Sequence, residues 1–298
     1  MKQKFEIIDA QMHPYEHNHS GRPWVGHLEG PDEASGETLV KEMDAVGVDG
    51  SILVSSYNKY GFDPSYALDV FKKFPNKFRV IRPFDMWSET IEDDLDSWSK
   101  VNGVVGARLM LTANEKLIDS SVDSTHQGVS RFMKKAGDIG IAINVMASGQ
   151  LDHFAAIAKS NPNTQLVLDH LGLMQPHVPP VPDIPFGSLD SVLELAQFDN
   201  VAIKISGACT LSKLPYPYQD IWDPIHKIIN SYGLNRCIWG TDWTRAVRIL
   251  PFKESVHAFI ETDQLSEDEK IQLMAENLKN KLDKSGKAYL MHSNWING

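Results

Sequence analysis

IWGTDWTRA, at residues 238–246, is a short apolar run that leads directly into an acidic side chain, Asp242, followed closely by Trp243 and Arg245. A carboxylate directly after a buried strand is unfavourable unless it is paired with a cation or used in chemistry. If this strand is the last of a repeating series, Asp242 lies at the mouth of a parallel barrel, where catalytic residues sit. The stretch therefore indicates a fold and a candidate site together.

Seven earlier runs are similar to this one, and amphipathic segments separate them. The runs are continuously apolar and β-branched, which is typical of a parallel sheet covered on both faces. Segments such as 37–46 and 218–231 have the apolar spacing of amphipathic helices. Eight such units predict a single (β/α)₈ TIM-type barrel, a fold of about 250 residues. The predicted strands are 5–10, 50–56, 78–84, 103–111, 139–146, 165–169, 201–206 and 236–241.

Two long segments interrupt this alternation, and each follows the carboxyl end of a predicted strand. Residues 14–36 are rich in His, Pro and Gly, and residues 173–187 are rich in proline. Loops of this length at that end of a barrel are usually functional. No GxGxxG motif follows the first strand, which weighs against a dinucleotide-binding fold. We therefore expect one barrel domain over 1–298, with the tail 284–298 left unassigned.

Composition limits the partners and the location of the chain. Its 298 residues have a formal net charge of −10 and a pI near 5.5, which argues against nucleic acid or an anionic membrane as a partner. Cys209 and Cys237 have neither metal-finger nor redox spacing. The start has no signal-peptide pattern and no apolar run could span a bilayer, so we expect a cytoplasmic protein. The closing AYLMHSNWING is apolar enough to pack on the barrel or on a second subunit, so a homo-oligomer is an open alternative.

Polar side chains gather at the carboxyl ends of the predicted strands. Gln11 and His13 alternate with apolar neighbours on the first strand, so both are expected to point into the barrel mouth. Placing many polar groups around one axis is unfavourable for stability alone, which favours a hydrolytic centre. Imidazoles and a carboxylate would hold and deprotonate water, and cations would receive an oxyanion. The later strands contribute Arg108, Asn144, His170, Lys204 and Asp242.

Each of these residues also has a structural interpretation. A single strand-end histidine such as His13 is more often a structural hydrogen bonder, but its combination with His170 and Asp242 favours catalysis. Asp242 could instead cap the following helix. Lys204 is as well explained by a salt bridge inside the barrel as by a role in the site. Arg108 either binds a substrate carboxylate, which we favour, or neutralises a core acid.

Further predictions concern the surroundings of these residues. Asp169 precedes His170, so strand alternation points it away from the site and favours a structural role. Trp24 and His27 in the first long loop, and Trp243 after the last strand, are expected to line the substrate pocket. The remaining predicted substrate contacts are Gln11, Arg108, Asn144 and Lys204.

With these residues in place, the chain resembles the amidohydrolase-related branch of the amidohydrolase superfamily over roughly residues 5–283. These (β/α)₈ barrels include 2-pyrone-4,6-dicarboxylate lactonase, sugar lactonases, and decarboxylases of aminocarboxymuconate semialdehyde or hydroxybenzoates. The motifs occur in order and at barrel spacing, so they are specific for the family and only weakly specific for the reaction. They are IIDAQMH in the first strand, GARLML, LVLDHLG at 166–172, VAIKISG at 201–207 and IWGTDW at 238–243.

The resemblance implies roles for these positions. His13 matches the second histidine of the family's HxH motif, His170 the histidine after the sixth strand, and Asp242 the aspartate that activates water. Arg108 resembles an arginine that binds the substrate carboxylate in some lactonases. Gln11 replaces the first motif histidine, and an amide is a poorer ligand for zinc or manganese than an imidazole. A divalent ion on His13, His170 and Asp242 is one alternative, and catalysis without metal is the other.

The combined prediction is a hydrolase that opens a lactone or similar cyclic ester of a small carboxylated metabolite. Asp242 would take a proton from water and return it to the leaving oxygen, while His13, His170 or Arg108 would stabilise the oxyanion. The alternative is a non-oxidative, metal-dependent decarboxylase of an aromatic or unsaturated acid that uses the same residues. A third hypothesis is a barrel that has lost catalysis and serves as a binding or scaffold protein. The intact His13, His170 and Asp242 argue against it.

Overall fold

The computed structural model describes residues 5–27, 29–111 and 122–280. Eight parallel strands follow one another around the sheet in chain order. Each strand overlaps a predicted run, although the first one begins and ends later than predicted. The strands are β1 (Ile8–Met12), β2 (Gly50–Val54), β3 (Phe78–Pro83), β4 (Val104–Met110), β5 (Ile143–Met146), β6 (Leu166–Leu168), β7 (Val201–Ser206) and β8 (Cys237–Gly240).

Helices connect the strands and bury one face against the sheet. The helix at 36–46 shows the pattern, because Leu39, Met43 and Val46 share its buried face. Ser35 accepts a hydrogen bond from the backbone of Thr38 and so caps the start of that helix. The helices are α1 (Gly36–Val46), α2 (Tyr57–Tyr60), α3 (Ser65–Lys73), α4 (Ile91–Ser99), α5 (Gln127–Ile139), α6 (Leu151–Ser160), α7 (Leu189–Glu194), α8 (Trp222–Tyr232), α9 (Trp243–Ala246), α10 (Phe252–Ile260), α11 (Glu267–Ile271) and α12 (Asn277–Asn280).

The sheet closes where the chain after β8 meets β1. The backbone N–H of Asp242 donates to the carbonyl of Gln11 at 3.0 Å. One residue earlier, the N–H of Thr241 donates to Asp9 Oδ1 at 2.9 Å, and the Thr241 hydroxyl also bonds the Asp9 carboxyl group. The predicted (β/α)₈ barrel is confirmed, and closure brings Gln11 beside Asp242.

The buried Asp9 carboxyl group at this closure makes stability depend on pH. Burial raises the pKa of Asp9 to about 7, although hydrogen bonds from Thr241 and Gln11 oppose the rise. A pKa raised on folding contributes stability that is complete below the unfolded value of 3.8 and is lost, at about 1.4 kcal/mol per pH unit, as the pH rises from there to about 7; above that pH the loss is constant. Between pH 4.5 and 7 we therefore expect the melting temperature of the wild type to fall relative to that of Asp9→Asn. Parallel pH profiles for the two proteins would contradict this account.

The barrel interior is apolar toward the amino ends of the strands and polar toward their carboxyl ends. Ile81, Val167, Ala202 and Ile238 are among the buried residues of the interior apolar cluster. Side chains two positions further along a strand lie on the same face, nearer its carboxyl end. Lys204 therefore lies directly above Ala202, which is how the strands build a polar layer over an apolar one.

Some predictions fall beyond what the structure describes. The tail 284–298, with its apolar end, lies outside the described residues, and a single domain over 1–298 stays a prediction. Among the described helices, none is long and apolar enough to cross a membrane. Cys209 and Cys237 are both buried, and neither is in a disulfide.

Candidate active site

A layer of buried polar side chains lies at the carboxyl ends of the strands. Every member is at most 8% exposed, so each is held by its neighbours rather than by bulk water. Strands and strand ends position them rigidly, as a site at the mouth of a barrel requires. The members are Gln11, Arg108, Asn144 and Lys204 within strands, and His13, His170 and Asp242 directly after strands.

His13 and His170 lie on either side of the Asp242 carboxylate. His13 Nε2 is 3.2 Å from Asp242 Oδ1, and His170 Nδ1 is 3.6 Å from Asp242 Oδ2. Asp242 and His170 both have left-handed backbones, with φ of 53° and 54°. Such conformations are uncommon outside glycine and often mark functional sites. The three residues predicted to act together are therefore in contact.

The capping interpretation of Asp242 finds no support in its hydrogen bonds. Asp242 precedes α9, but its side chain makes no capping bond to that helix. Oδ2 instead accepts from Arg245 Nε, while Oδ1 is buried and accepts no hydrogen bond from any described residue. A buried carboxylate oxygen without a donor is unfavourable, so it is the natural place for a water molecule to bind.

The Gln11 amide has one orientation, because Lys204 sets it. Lys204 Nζ donates to Gln11 Oε1 at 2.8 Å, so Gln11 Nε2 faces His13 Nε2 at 3.2 Å. His13 Nδ1 lies 2.8 Å from the carbonyl of Val54 and must carry the proton, because a carbonyl only accepts. His13 Nε2 therefore faces both the Gln11 amide and, at 3.2 Å, Asp242 Oδ1.

The prediction for Asp169 is wrong in its direction. Its carboxylate points into the polar layer, where Oδ2 accepts from Arg108 Nε at 2.8 Å and Oδ1 lies 3.1 Å from Lys204 Nζ. Asp169 follows Val167 by two residues and so continues the interior face of the strand, whereas the left-handed backbone of His170 turns that side chain toward the same site. Burial raises the pKa of Asp169, but Lys204 and Arg108 outweigh it and lower that pKa. Asp169 thus forms ion pairs with two cations of the site, Arg108 and Lys204.

Burial and neighbouring charges set the protonation of the two central groups. Burial lowers the pKa of His170 to about 3, against the opposing effect of Asp242 and Asp169. The imidazole is therefore neutral near pH 7. Burial raises the pKa of Asp242, but Arg245, His170 and His13 outweigh burial and hold that pKa well below its usual range. Asp242 is therefore ionised and can accept a proton.

Arg245, three residues after Asp242, makes more contacts in the site than its place in the sequence predicted. Besides Asp242, its guanidinium donates to the carbonyl of Pro176 at 2.5 Å and to Gln175 Oε1 at 2.8 Å. It therefore ties the proline-rich loop to the strand-eight carboxylate. Its position three residues after Asp242, in a first helical turn, was the available signal. Ser206, which lies 3.0 Å from His170 Nδ1, has no comparable signal in the sequence.

Of four further residues predicted to line the pocket, three lie around the site and one lies within the polar layer. His27 is exposed and pairs with Glu29 at 3.1 Å. Trp243 packs on Phe252, with ring centroids 4.7 Å apart. Asn144 is buried in the polar layer, and its Oδ1 has no hydrogen-bond partner among the described residues. The fourth is Trp24, which lies half-buried in the first long loop.

The residues predicted to hold a divalent ion do not form a metal site in this structure. No group of three His, Cys, Asp or Glu within the described ranges has a metal-binding arrangement. Gln11 presents an N–H donor where the motif histidine would offer a lone pair, and His170 Nε2 faces Arg108 Nη2 at 3.4 Å. Only His13 Nε2 and Asp242 Oδ1 are left as donors, and zinc takes three or four protein ligands. The donor set does not fit a resident zinc ion.

Comparison with known proteins gives a family and named relatives of similar sequence. A family model described as amidohydrolase matches residues 8–277. A 4-sulfomuconolactone hydrolase from Hydrogenophaga intermedia is 23% identical over 215 residues, which are 72% of this chain and 66% of that relative. The chain therefore spans about two thirds of the length of that relative.

Two solved structures have a similar fold over most of the chain. One, from Acinetobacter baumannii, is a probable 2-pyrone-4,6-dicarboxylic acid hydrolase with citric acid bound; its TM-score is 0.70 at 20% identity, over 91% of this chain and 97% of that one. The other is an amidohydrolase from Burkholderia multivorans with bound zinc, at a TM-score of 0.71 and 18% identity, over 91% of this chain and 97% of that one. At these identities the likeness shows the fold.

Proposed function

Because the chain belongs to the amidohydrolase family, we propose that it hydrolyses a lactone of a small carboxylated metabolite. The observation that carries the proposal is the Asp242 carboxylate, buried and ionised, with Oδ1 free of hydrogen bonds from the described residues. The 4-sulfomuconolactone hydrolase among its relatives supports the same class of reaction. Asp242 is the base, and the site opens a cyclic ester with water.

The proposed reaction begins with water bound to Asp242 Oδ1. Asp242 takes one proton as the water oxygen bonds to the lactone carbonyl carbon, which gives a tetrahedral oxyanion. Arg108 is the donor for that oxyanion, because its guanidinium has N–H groups besides the one that Asp169 accepts. The ring C–O bond then breaks, and the proton on Asp242 passes to the leaving oxygen. The product is an open-chain acid, and the carboxylate is regenerated.

The lowered pKa of Asp242 restricts the substrates that this step can serve. A carboxylate beside Arg245 is a weak base, so the carbonyl must already be reactive. The same carboxyl group, once protonated, is a strong acid that readily returns its proton. An enol lactone, whose leaving oxygen is a stabilised enolate, meets both conditions. Activated ring esters that carry a carboxylate are therefore the proposed substrate class.

The donor set predicts that activity does not depend on a divalent ion. We expect dialysis against EDTA or dipicolinate to leave lactone hydrolysis unchanged. Gln11 replaces the motif histidine that would bind a metal ion, and the Lys204 ammonium group that bonds it supplies a positive charge there. Elemental analysis of the purified protein should find far less than one zinc or manganese per chain. Adding either metal back should leave the rate unchanged. Loss of activity on chelation, restored by zinc or manganese, would contradict the prediction.

The decarboxylase predicted as the alternative has weaker support from this site. That chemistry relies on a firmly held metal to bind the substrate carboxylate and its neighbouring oxygen. The described residues leave only His13 Nε2 and Asp242 Oδ1 as free donors for one. Carbon dioxide release from a hydroxybenzoate panel, together with stoichiometric metal, would favour the alternative over lactone hydrolysis.

A further inference from the structure

Lys59 is a buried lysine at the mouth of the barrel, on the short helix α2 that follows β2. Its side chain is 1% exposed. Nζ lies 3.4 Å from the centre of the Trp24 ring and 5.1 Å from that of Tyr15. Within the described ranges, this ammonium group makes no hydrogen bond and no ion pair. Two aromatic faces hold it instead.

Such burial leaves the ammonium group incompletely compensated. An ammonium group has three N–H donors, and aromatic faces attract its charge without accepting conventional hydrogen bonds. Burial lowers the pKa of Lys59, whereas Asp32 and Glu29 raise it from a distance. A buried lysine in this setting is expected to gain a direct anionic partner when one is supplied.

The surroundings of Lys59 are continuous with the catalytic groups. Val54, which ends β2 five residues before Lys59, accepts a hydrogen bond from His13 Nδ1 at 2.8 Å. Tyr15 follows His13 by two residues in the chain. Lys59 is therefore linked to His13 in two ways: through Val54 at the end of β2, and through Tyr15 in the segment that follows His13. An anion bound at Lys59 would therefore lie at the same end of the barrel as His13 and Asp242.

The cations at the centre of the site already have partners. Arg108 pairs with Asp169, and Lys204 lies between Asp169 and Gln11. Arg245 pairs with Asp242 and anchors the proline-rich loop. Releasing any of them for a substrate carboxylate would leave a buried acid unpaired. Lys59 forms no ion pair with a described residue, so it could bind a substrate carboxylate without leaving a buried acid unpaired.

We propose that Lys59 is the residue that binds the carboxylate of the substrate, with Trp24 stacked against its ammonium group. This assignment rests on the proposed function, and it replaces Arg108 as the predicted carboxylate-binding residue. Arg108 is then free to remain on Asp169 and serve the oxyanion. Lys59 acts on specificity: it selects a substrate with an anionic group and takes no part in bond breaking.

A binding experiment tests the assignment without requiring turnover. The probe is isophthalate, a planar ring dicarboxylate that cannot be hydrolysed, titrated calorimetrically into the wild type, Lys59→Met and Lys59→Arg. We expect at least ~10-fold weaker binding in Lys59→Met and largely retained binding in Lys59→Arg. Lys77→Met is the matched control, because it removes the same charge just before β3, at the opposite end of the barrel. Thermal unfolding of each variant separates loss of fold from loss of binding.

Kinetics separate this assignment from the reaction itself. For 2-pyrone-4,6-dicarboxylate, Lys59→Met should raise KM at least ~10-fold with little change in kcat, whereas neutral 2-pyrone should be unaffected. Equal isophthalate binding by a folded Lys59→Met, or no binding by the wild type, would overturn the assignment. If Lys59-dependent binding is found but no lactone is opened, the proposed function fails and the assignment stands.

Discussion

Asp242→Asn should lower kcat for lactone opening by about 10³-fold while the protein stays folded. The substitution keeps an oxygen for Arg245 and removes the group that takes the proton from water. Asparagine is also among the few residues that tolerate the left-handed backbone found here, where φ is 53°. The measurement is steady-state hydrolysis followed by the loss of lactone absorbance, together with circular dichroism and thermal unfolding.

Asp9→Asn is the matched control for that variant. Asp9 is equally buried and lies next to the same strand end, but it bonds Thr241 and Gln11 rather than the catalytic groups. Its replacement should leave kcat within about twofold of the wild type at pH 6.5. If Asp242→Asn retained the rate of ring opening, the assignment of Asp242 as the base would be wrong even if the protein were a lactonase.

Lys204→Met should destabilise the fold by about 3–5 kcal/mol, the typical effect of removing one partner from a buried ion pair. The substitution leaves Asp169 with Arg108 as its remaining cation and releases the Gln11 amide that faces His13. We therefore expect a lower melting temperature together with a lower kcat. Chemical unfolding by urea, fitted for the free energy in water, measures the first effect.

A second variant separates the charge of Lys204 from its packing. If the loss of one cation beside the Asp169 carboxylate is the cause, Lys204→Met combined with Asp169→Asn should recover part of the lost free energy of unfolding. The double variant should still be slow, because Gln11 remains unoriented and Arg108 loses its anchor. A single variant as stable as the wild type would show that the network contributes little to folding.

The family and the barrel were predictable because each depends on local patterns. Eight apolar runs, the acid after the last of them and the HxH-like IIDAQMH motif are all visible in the chain. The predicted membership of the amidohydrolase superfamily is confirmed, as is the predicted fold. His13, His170 and Asp242 were predicted to lie together because strand ends in a barrel meet on one axis, and the structure places them in contact.

The errors come from features that local patterns do not encode. Alternation assumes an extended strand, but the left-handed backbone at His170 turns its side chain into the site, so the direction of Asp169 could not be inferred from that of His170. Which cation pairs with which acid depends on contacts between residues far apart in the chain, such as Lys204 and Gln11. Lys59 lies in the polar sequence YNKYGF and has the signature of a solvated lysine. Only the packing of Trp24 over it reveals a buried charge.

The most direct test is the rate at which chelator-treated protein opens 4-sulfomuconolactone and 2-pyrone-4,6-dicarboxylate, with Asp242→Asn measured in parallel. The account predicts that the metal-free wild type opens at least one of these rings and that Asp242→Asn does so about 10³-fold more slowly. Opening that requires added zinc or manganese would contradict it, and so would equal rates for the two proteins.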